Sequence, residues 1–129
     1  MSDAHLTDAL LPAPFALPET PTEPELVAKY FRALGDPTRV RILDLLEQGE
    51  RSVGDLVKQL GVSQPKVSNH LACLRWCGFV MTRREHPSVY YRVADKRVAQ
   101  LLGLTRALLG DNAEHGAACR RIEPARVDA

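Results

Sequence analysis

The chain has 129 residues, of which 45% are apolar and 26% charged, and its formal net charge is +1. This length suits one domain with its own core, and the composition is typical of a soluble globular protein. No run approaches the ~18 apolar residues of a membrane span, and no basic region precedes an apolar stretch at the N-terminus as in a secretory signal. Three cysteines in such a chain argue against a disulfide framework and for the reducing cytoplasm.

The charges are distributed unevenly along the chain. Residues 1–28 contain five acidic residues and no Lys or Arg, whereas residues 63–97 contain seven basic residues and two acidic ones. A basic segment in a near-neutral chain suits a surface that contacts phosphates. Charge alone is equally consistent with an ordinary solvated face.

The two ends of the chain differ from its centre. Residues 1–23 contain four prolines and no sustained periodicity, which predicts a disordered N-terminal arm. Residues 111–129 are polar and small and predict a flexible C-terminal tail. The folded domain is therefore expected over residues 24–110.

Three helices are predicted after the arm. The first begins near Pro24, which the first turn of a helix tolerates. Asp36 and Pro37 predict the start of the second helix, which ends at Gly49. Residues 52–55 have the spacing of a capping box and predict a short third helix.

A longer helix is predicted after a tight turn at residues 61–63. Ser63 is its predicted N-cap, and Val67, Leu71 and Leu74 form a buried stripe at i, i+4 and i+7 of a helix that runs to residue 78. A short helix, a Gly-containing turn and a longer amphipathic helix are typical of a helix-turn-helix. Since any helical bundle could show this pattern, the segment that follows decides its meaning.

Two β-rich segments, residues 79–83 and 89–93, follow this helix and are separated by a segment that contains Pro87. They predict a small hairpin in the position of a wing. Asp95 caps a last helix, which together with the first helix offers more apolar surface than one small domain needs, so we expect a homodimer. The predicted fold class is mainly α with a small β-hairpin: a dimeric winged helix-turn-helix with four helices, two strands and a fifth helix.

Two motifs resemble the ArsR/SmtB family of metal-sensing winged-helix repressors. Residues 33–43, ALGDPTRVRIL, resemble the opening signature of that family, and residues 63–75, SQPKVSNHLACLR, resemble its recognition helix. The similarity spans roughly residues 25–110. It implies a dimer that represses transcription from operator DNA until an inducer binds.

The predicted recognition helix places polar residues opposite its buried stripe. Ser68 and Asn69 point away from the core, and Gln64 lies on the margin of that face. Because the N-terminal part of a recognition helix reaches base edges in the major groove, these three residues are the predicted base contacts. The predicted phosphate contacts are Ser63, Lys66, His70, Arg83, Arg84 and Arg92.

Cys73 and Cys77 are one turn apart on this helix, on a flank between its core and DNA faces. Two such thiolates can chelate one soft cation, and Cys119 in the tail could complete a trigonal site. In an arbitrary chain ordinary packing is the more common reason for such a pair, because cysteine is often buried, so the metal hypothesis depends on the family context.

The string NHLACLRWCG, residues 69–78, is similar to the CmtR subgroup of the family, whose members sense cadmium and lead. In that subgroup two cysteines of this helix join one from the C-terminal region of the other subunit. The resemblance implies that Cys73, Cys77 and Cys119 are the metal ligands here. It implies Cd²⁺ or Pb²⁺ as the inducer, with Hg²⁺ or As(III) as further candidates.

We therefore expect a cytoplasmic repressor that leaves operator DNA when a soft metal ion binds three thiolates. The alternative is a thiol redox switch on the same fold. Helical geometry disfavours it, because Cα atoms four residues apart are about 6 Å apart and the side chains are not aimed at each other. An enzyme is not expected, because no orienting residue or oxyanion motif accompanies the cysteines and His70.

Overall fold

The computed structural model describes residues 20–113. Within that range the helices are α1 (Glu23–Leu34), α2 (Pro37–Gln48), α3 (Val53–Leu60), α4 (Gln64–Trp76) and α5 (Lys96–Asp111). The strands are β1 (Arg51–Ser52), β2 (Val80–Glu85) and β3 (Ser88–Val93). This order confirms the predicted mainly helical fold with a hairpin between the fourth and fifth helices.

The first turns of α2 and α3 are built as the sequence predicts. The Asp36 carboxylate accepts hydrogen bonds from the backbone N–H groups of Thr38 at 2.8 Å and Arg39 at 3.2 Å. Ser52 and Asp55 form a reciprocal capping box, with N–H to side-chain oxygen distances of 3.1 and 3.3 Å. These bonds satisfy backbone donors that the start of a helix leaves unpaired.

The fourth helix keeps its predicted position. Ser63 occupies the predicted N-cap position, although its side chain makes no capping hydrogen bond. The helix ends at Trp76, and Cys77 is its C-cap. Gly78 follows with φ +81°, a left-handed conformation that favours glycine and cannot continue a right-handed helix.

The hairpin is longer than predicted and has a third strand beside it. β2 and β3 pair antiparallel over their whole length, and only His86 and Pro87 form the turn. β1 pairs antiparallel with β3, with Ser52 opposite Tyr90, and the strand order is β1-β3-β2. β1 has two residues, too few to show any periodicity, so sequence pattern could not predict it.

The hydrophobic core is formed by α2, α3 and α4, with contributions from β2 and α5. The predicted stripe of α4 is confirmed, since all three of its members are fully buried. The largest fully buried side chains are Ile42, Leu43, Leu56, Val67, Leu71 and Leu74. α5 contributes Val98 and Leu102, and its Arg106 guanidinium forms an ion pair with the Asp44 carboxylate of α2 at 2.7 Å.

Several large apolar side chains lie on the surface. On α5, Leu104, Leu108 and Leu109 are 65%, 63% and 58% exposed. On α1 the exposed side chains are Leu26, Val27, Tyr30 and Phe31. Within the second half of the domain, α5 therefore has an apolar face that its described neighbours do not cover.

Contacts divide the chain into two compact units, residues 1–32 and 33–129. The described part of the first unit contains most of α1, and that of the second contains the core, the sheet and α2 to α5. Most of the predicted arm (1–23) and most of the predicted tail (111–129) lie outside the described residues. No helix among residues 20–113 has both the length and the apolar character needed to cross a membrane.

Candidate nucleic-acid interface and thiol pair

α3, the turn after it and α4 form a helix-turn-helix. Gly61 ends α3 with φ +68°, and this left-handed residue lets the chain reverse within residues 61–63. The buried stripe of α4 then fixes one face of that helix in the core. The opposite face of α4 is left for a ligand.

The exposed side of α4 contains the predicted base contacts. Gln64 and Asn69 are exposed, and Ser68 is half-buried. Ser63 and Lys66, two of the predicted phosphate contacts, are exposed on the same N-terminal half of the helix. The structure thus brings together the polar side chains that an inserted recognition helix uses.

The arginines of the hairpin have different surroundings. Arg84 and Arg92 are exposed. The Arg83 guanidinium instead faces two carboxylates: Nε and Nη2 donate to Glu50 at 3.1 and 2.9 Å, and Nη1 donates to Glu85 at 2.7 Å. The guanidinium also lies 4.8 Å from the centre of the Tyr90 ring.

These bonds reduce the attraction of Arg83 for DNA phosphates. The hydrogen bonds from Arg83 to the two carboxylates raise the pKa of Arg83, and its bond to Glu50 lowers the pKa of that carboxyl group. Two negative charges surround one positive charge, so the local field attracts phosphate less than an unopposed arginine does. The sequence did not reveal this arrangement, because Glu50 precedes Arg83 by 33 residues.

His70 has an internal partner as well. Its Nδ1 accepts a hydrogen bond from Nε–H of Arg39 at 3.1 Å, and Nη1 of Arg39 donates to the Ala33 carbonyl at 3.2 Å. Burial lowers the pKa of His70, the carboxylate of Asp36 opposes that shift, and the positive charges of Arg39 and Lys66 add to it. With Nδ1 bonded to Arg39, a neutral His70 offers DNA one N–H donor and no positive charge, which weakens the case for the phosphate contact predicted for it.

Cys73 and Cys77 lie one helical turn apart, as their spacing predicts. The N–H of Cys77 donates to the Cys73 carbonyl at 3.1 Å. Both thiols are half-buried and pack at the edge of the core. The arrangement suits a soft ion, since two sulfur donors can approach it from one helix face.

A complete metal site needs a further donor. Among residues 20–113 no group of three or more His, Cys, Asp or Glu side chains is arranged to hold a metal ion. Cys119, the predicted third ligand, lies outside the described residues. The described residues therefore contribute at most two sulfur ligands to the predicted three.

A helix-turn-helix followed directly by an antiparallel hairpin, with basic residues on both, defines a winged helix-turn-helix DNA-binding protein. The profile of the family described as "Bacterial regulatory protein, arsR family" matches residues 36–82.

Two relatives match this chain over a longer stretch than the family profile does. The chain is 46% identical over 101 residues to a probable mercury resistance operon repressor from Streptomyces lividans, covering 78% of this chain and 81% of that protein. It is 47% identical over 77 residues to the transcriptional regulator CmtR from Mycobacterium bovis, covering 60% of this chain and 65% of that protein. The chain therefore belongs to the arsR family: it is a DNA-binding transcriptional regulator and not an enzyme.

Solved structures confirm the fold. A homodimeric winged helix-turn-helix DNA-binding domain from Mycobacterium bovis has a TM-score of 0.66 and 33% identity, covering 77% of this chain and 95% of that one. NolR from Sinorhizobium fredii has a TM-score of 0.65 and 35% identity, covering 73% and 97% of the two chains.

Proposed function

We propose that this regulator is a repressor that leaves operator DNA when a soft heavy-metal ion binds Cys73, Cys77 and Cys119. The thiol pair on α4 carries the proposal, because it lies on the same helix as the predicted base contacts. The similarity to a probable mercury resistance operon repressor supports a metal response.

Contacts with DNA are assigned in two groups. Gln64, Ser68 and Asn69 read base edges from the N-terminal half of α4. The phosphate contacts are Ser63, Lys66, Arg84 and Arg92, all of which are exposed. His70 and Arg83 are left out of this set, because the first bonds to Arg39 and the second to two carboxylates.

The operator-binding form is a homodimer in this proposal. Leu104 and Leu108 on α5 are more than half exposed, and burying them against a second copy removes apolar surface from water. The similar domain from Mycobacterium bovis is homodimeric. A bacterial DNA-binding regulator works beside the chromosome, so we place the protein in the cytoplasm.

The class of ion follows from the sulfur donors. Thiolates are soft ligands and select soft cations such as Cd²⁺, Pb²⁺ and Hg²⁺, and they also bind As(III). The resemblance to the CmtR subgroup favours Cd²⁺ or Pb²⁺, whereas the Streptomyces lividans relative favours Hg²⁺. All four are therefore tested.

The position of the two cysteines on α4 explains how metal binding leads to release of the operator. A bound ion holds thiolates of α4 and the tail together. Cys73 and Cys77 occupy the C-terminal end of α4, so a displacement of that end moves Asn69 and the rest of the reading face with it. A coupling of ~1–3 kcal/mol weakens operator binding about 5- to 150-fold.

Operator gel shifts with and without Cd(II), Pb(II), Hg(II) and As(III) test the proposal. Wild type is expected to release DNA with at least one of them. Cys73→Ser, Cys77→Ser and Cys119→Ser are each expected to bind the operator normally without metal and to lose release. Retained binding without metal is the internal control that each serine variant is folded.

Direct binding is measured in the same samples. Sulfur-to-metal charge-transfer absorbance is expected on metal addition to wild type and is expected to fall in each serine variant. Trp76 lies between the two cysteines and is 89% exposed, so its fluorescence reports on the same site. A Cys73→Ser protein that still releases DNA with metal contradicts the site, and release by peroxide alone assigns the thiol redox switch.

A further inference from the structure

A hydrogen-bonded bridge joins the end of α1, the first turn of α2 and the recognition helix α4. Arg39, in the first turn of α2, donates from Nε to Nδ1 of His70 on α4 and from Nη1 to the Ala33 carbonyl on α1. The distances are 3.1 and 3.2 Å. Ala33 is buried, and Arg39 and His70 are half-buried. Neither the base contacts nor the thiol pair explains this bridge.

Arg39 is well fixed at its own end. Its backbone N–H donates to the carboxylate of Asp36, the N-cap of α2, at 3.2 Å. The planar guanidinium then makes two bonds in different directions, an arrangement that a lysine ammonium on a flexible stem does not reproduce. The Nε–H of Arg39 is therefore a directed donor toward α4.

His70 is placed where such a donor can set the rotation of α4. It follows Asn69 directly, so it lies about 100° around the helix from that predicted base contact. The stripe of Val67, Leu71 and Leu74 holds α4 against the core through apolar contacts, which are not directional. A hydrogen bond is directional and can fix the rotation that apolar packing leaves adjustable.

We propose that His70 is a positioning residue for operator recognition: by accepting the hydrogen bond from Arg39, it fixes the orientation in which Asn69 and Ser68 face the bases. It does not contact phosphate. The bond requires an unprotonated Nδ1, so the proton of the neutral ring is on Nε2. Burial and the neighbouring charges of Arg39 and Lys66 favour this neutral form, with Asp36 opposing them.

Replacing His70 by asparagine or by glutamine gives a matched pair of variants. The carboxamide of asparagine can place an acceptor near the position of Nδ1, whereas that of glutamine is one carbon longer and reaches toward the position of Nε2. His70→Asn is therefore expected to keep the bond with Arg39, and His70→Gln to lose it. Both are uncharged and polar, so they differ mainly in where the acceptor lies.

Binding is measured by fluorescence anisotropy with operator and with unrelated duplex DNA, in metal-free buffer at several salt concentrations. His70→Gln and Arg39→Lys are each expected to weaken operator binding roughly 10- to 150-fold, the range for one hydrogen bond to a charged donor. Binding to unrelated DNA and the salt dependence of operator binding are expected to stay near wild type. His70→Asn is expected to remain within about threefold of wild type.

A double variant tests whether the two residues act together. Because both single changes remove one bond, Arg39→Lys combined with His70→Gln is expected to weaken operator binding no more than the worse single variant. Thermal unfolding of each protein is recorded first. If His70→Gln does not fold, the comparison rests on His70→Asn and Arg39→Lys.

Two results would overturn the proposal. One is an equal loss with His70→Asn and His70→Gln, on operator and unrelated DNA alike, with a salt slope lowered by about one, as for a lost phosphate contact. The other is additive losses in the double variant. Since no metal is present, either outcome leaves the proposal of metal release untouched.

Discussion

At the residue scale, the two serines that precede the helices of the helix-turn-helix have different roles. The Ser52 hydroxyl accepts a hydrogen bond from the Asp55 N–H, and the Asp55 carboxylate accepts one from the Ser52 N–H. Ser63 has the same position before α4 but makes no side-chain capping bond. Ser52 therefore stabilises the fold, whereas the Ser63 hydroxyl remains available for a phosphate.

Replacing each serine by alanine separates these roles. Ser52→Ala is expected to lower the free energy of unfolding by about 1 kcal/mol, because a helix start loses its cap. Ser63→Ala, the matched control, is expected to lower it by less than about half of that, since no capping bond is lost. Urea denaturation at one fixed protein concentration measures both. Equal losses would contradict the difference between the two caps.

The sequence predicted residue roles well where they depend on local spacing. The capping box, the buried stripe of α4 and the one-turn separation of Cys73 and Cys77 all follow from residues at most seven positions apart. His70, which bonds to Arg39, and Glu50, which bonds to Arg83, lie 31 and 33 residues from those arginines, and nothing in the local pattern marks them. For that reason His70 and Arg83 were predicted to bind phosphate when the structure gives them internal partners.

At the scale of elements, contacts with β1 and Glu50 hold the wing to the rest of the domain, in addition to the chain segments at its two ends. β1 extends the hairpin to three strands, and Arg83 on β2 bonds to Glu50, the residue just before β1. Both contacts fix the middle of the hairpin, at Arg83, Tyr90 and Tyr91. Arg84 and Arg92 are then exposed on strands whose position is set.

Charge removal along the wing should therefore have unequal effects on DNA binding. Arg84→Gln and Arg92→Gln are each expected to weaken binding to all sequences and to reduce the salt slope by about one. Arg83→Gln is expected to change the slope much less, because its charge is already opposed by Glu50 and Glu85. Titrations over a range of salt concentrations measure the slopes. If Arg83→Gln lowers the salt slope by a full unit, then Arg83 leaves its carboxylate partners and contacts phosphate when DNA binds.

At the scale of the whole molecule, residues 20–113 leave apolar side chains of α5 exposed to solvent. α5 uses Val98 and Leu102 in the core while Leu104 and Leu108 stay largely exposed. The apolar excess of this helix was readable from the sequence, but which leucines face inward was not. That division depends on how α5 packs in three dimensions.

A charge placed on this face should separate the proposed dimer. Leu108→Glu is expected to shift the protein to monomers and to weaken operator binding, because a carboxylate buried in an apolar interface loses its hydration. Ala107→Glu adds the same charge at the neighbouring exposed position and is expected to leave the dimer intact. Sedimentation equilibrium measures the assembly. A dimeric Leu108→Glu protein would place the interface elsewhere.

Ser52 belongs to two elements at once, as the last residue of β1 and the N-cap of α3. The wing sheet and α3 therefore meet at Ser52, and a movement of β1 displaces the start of α3. α4 meets the wing through the left-handed Gly78 instead, directly after the Cys77 cap. Under the proposed metal response, an ion bound at Cys77 would act at the connection between the recognition helix and the wing. It would change the angle between these two elements while each keeps its own side chains in place, so operator binding would depend on their relative geometry as well as on either contact set.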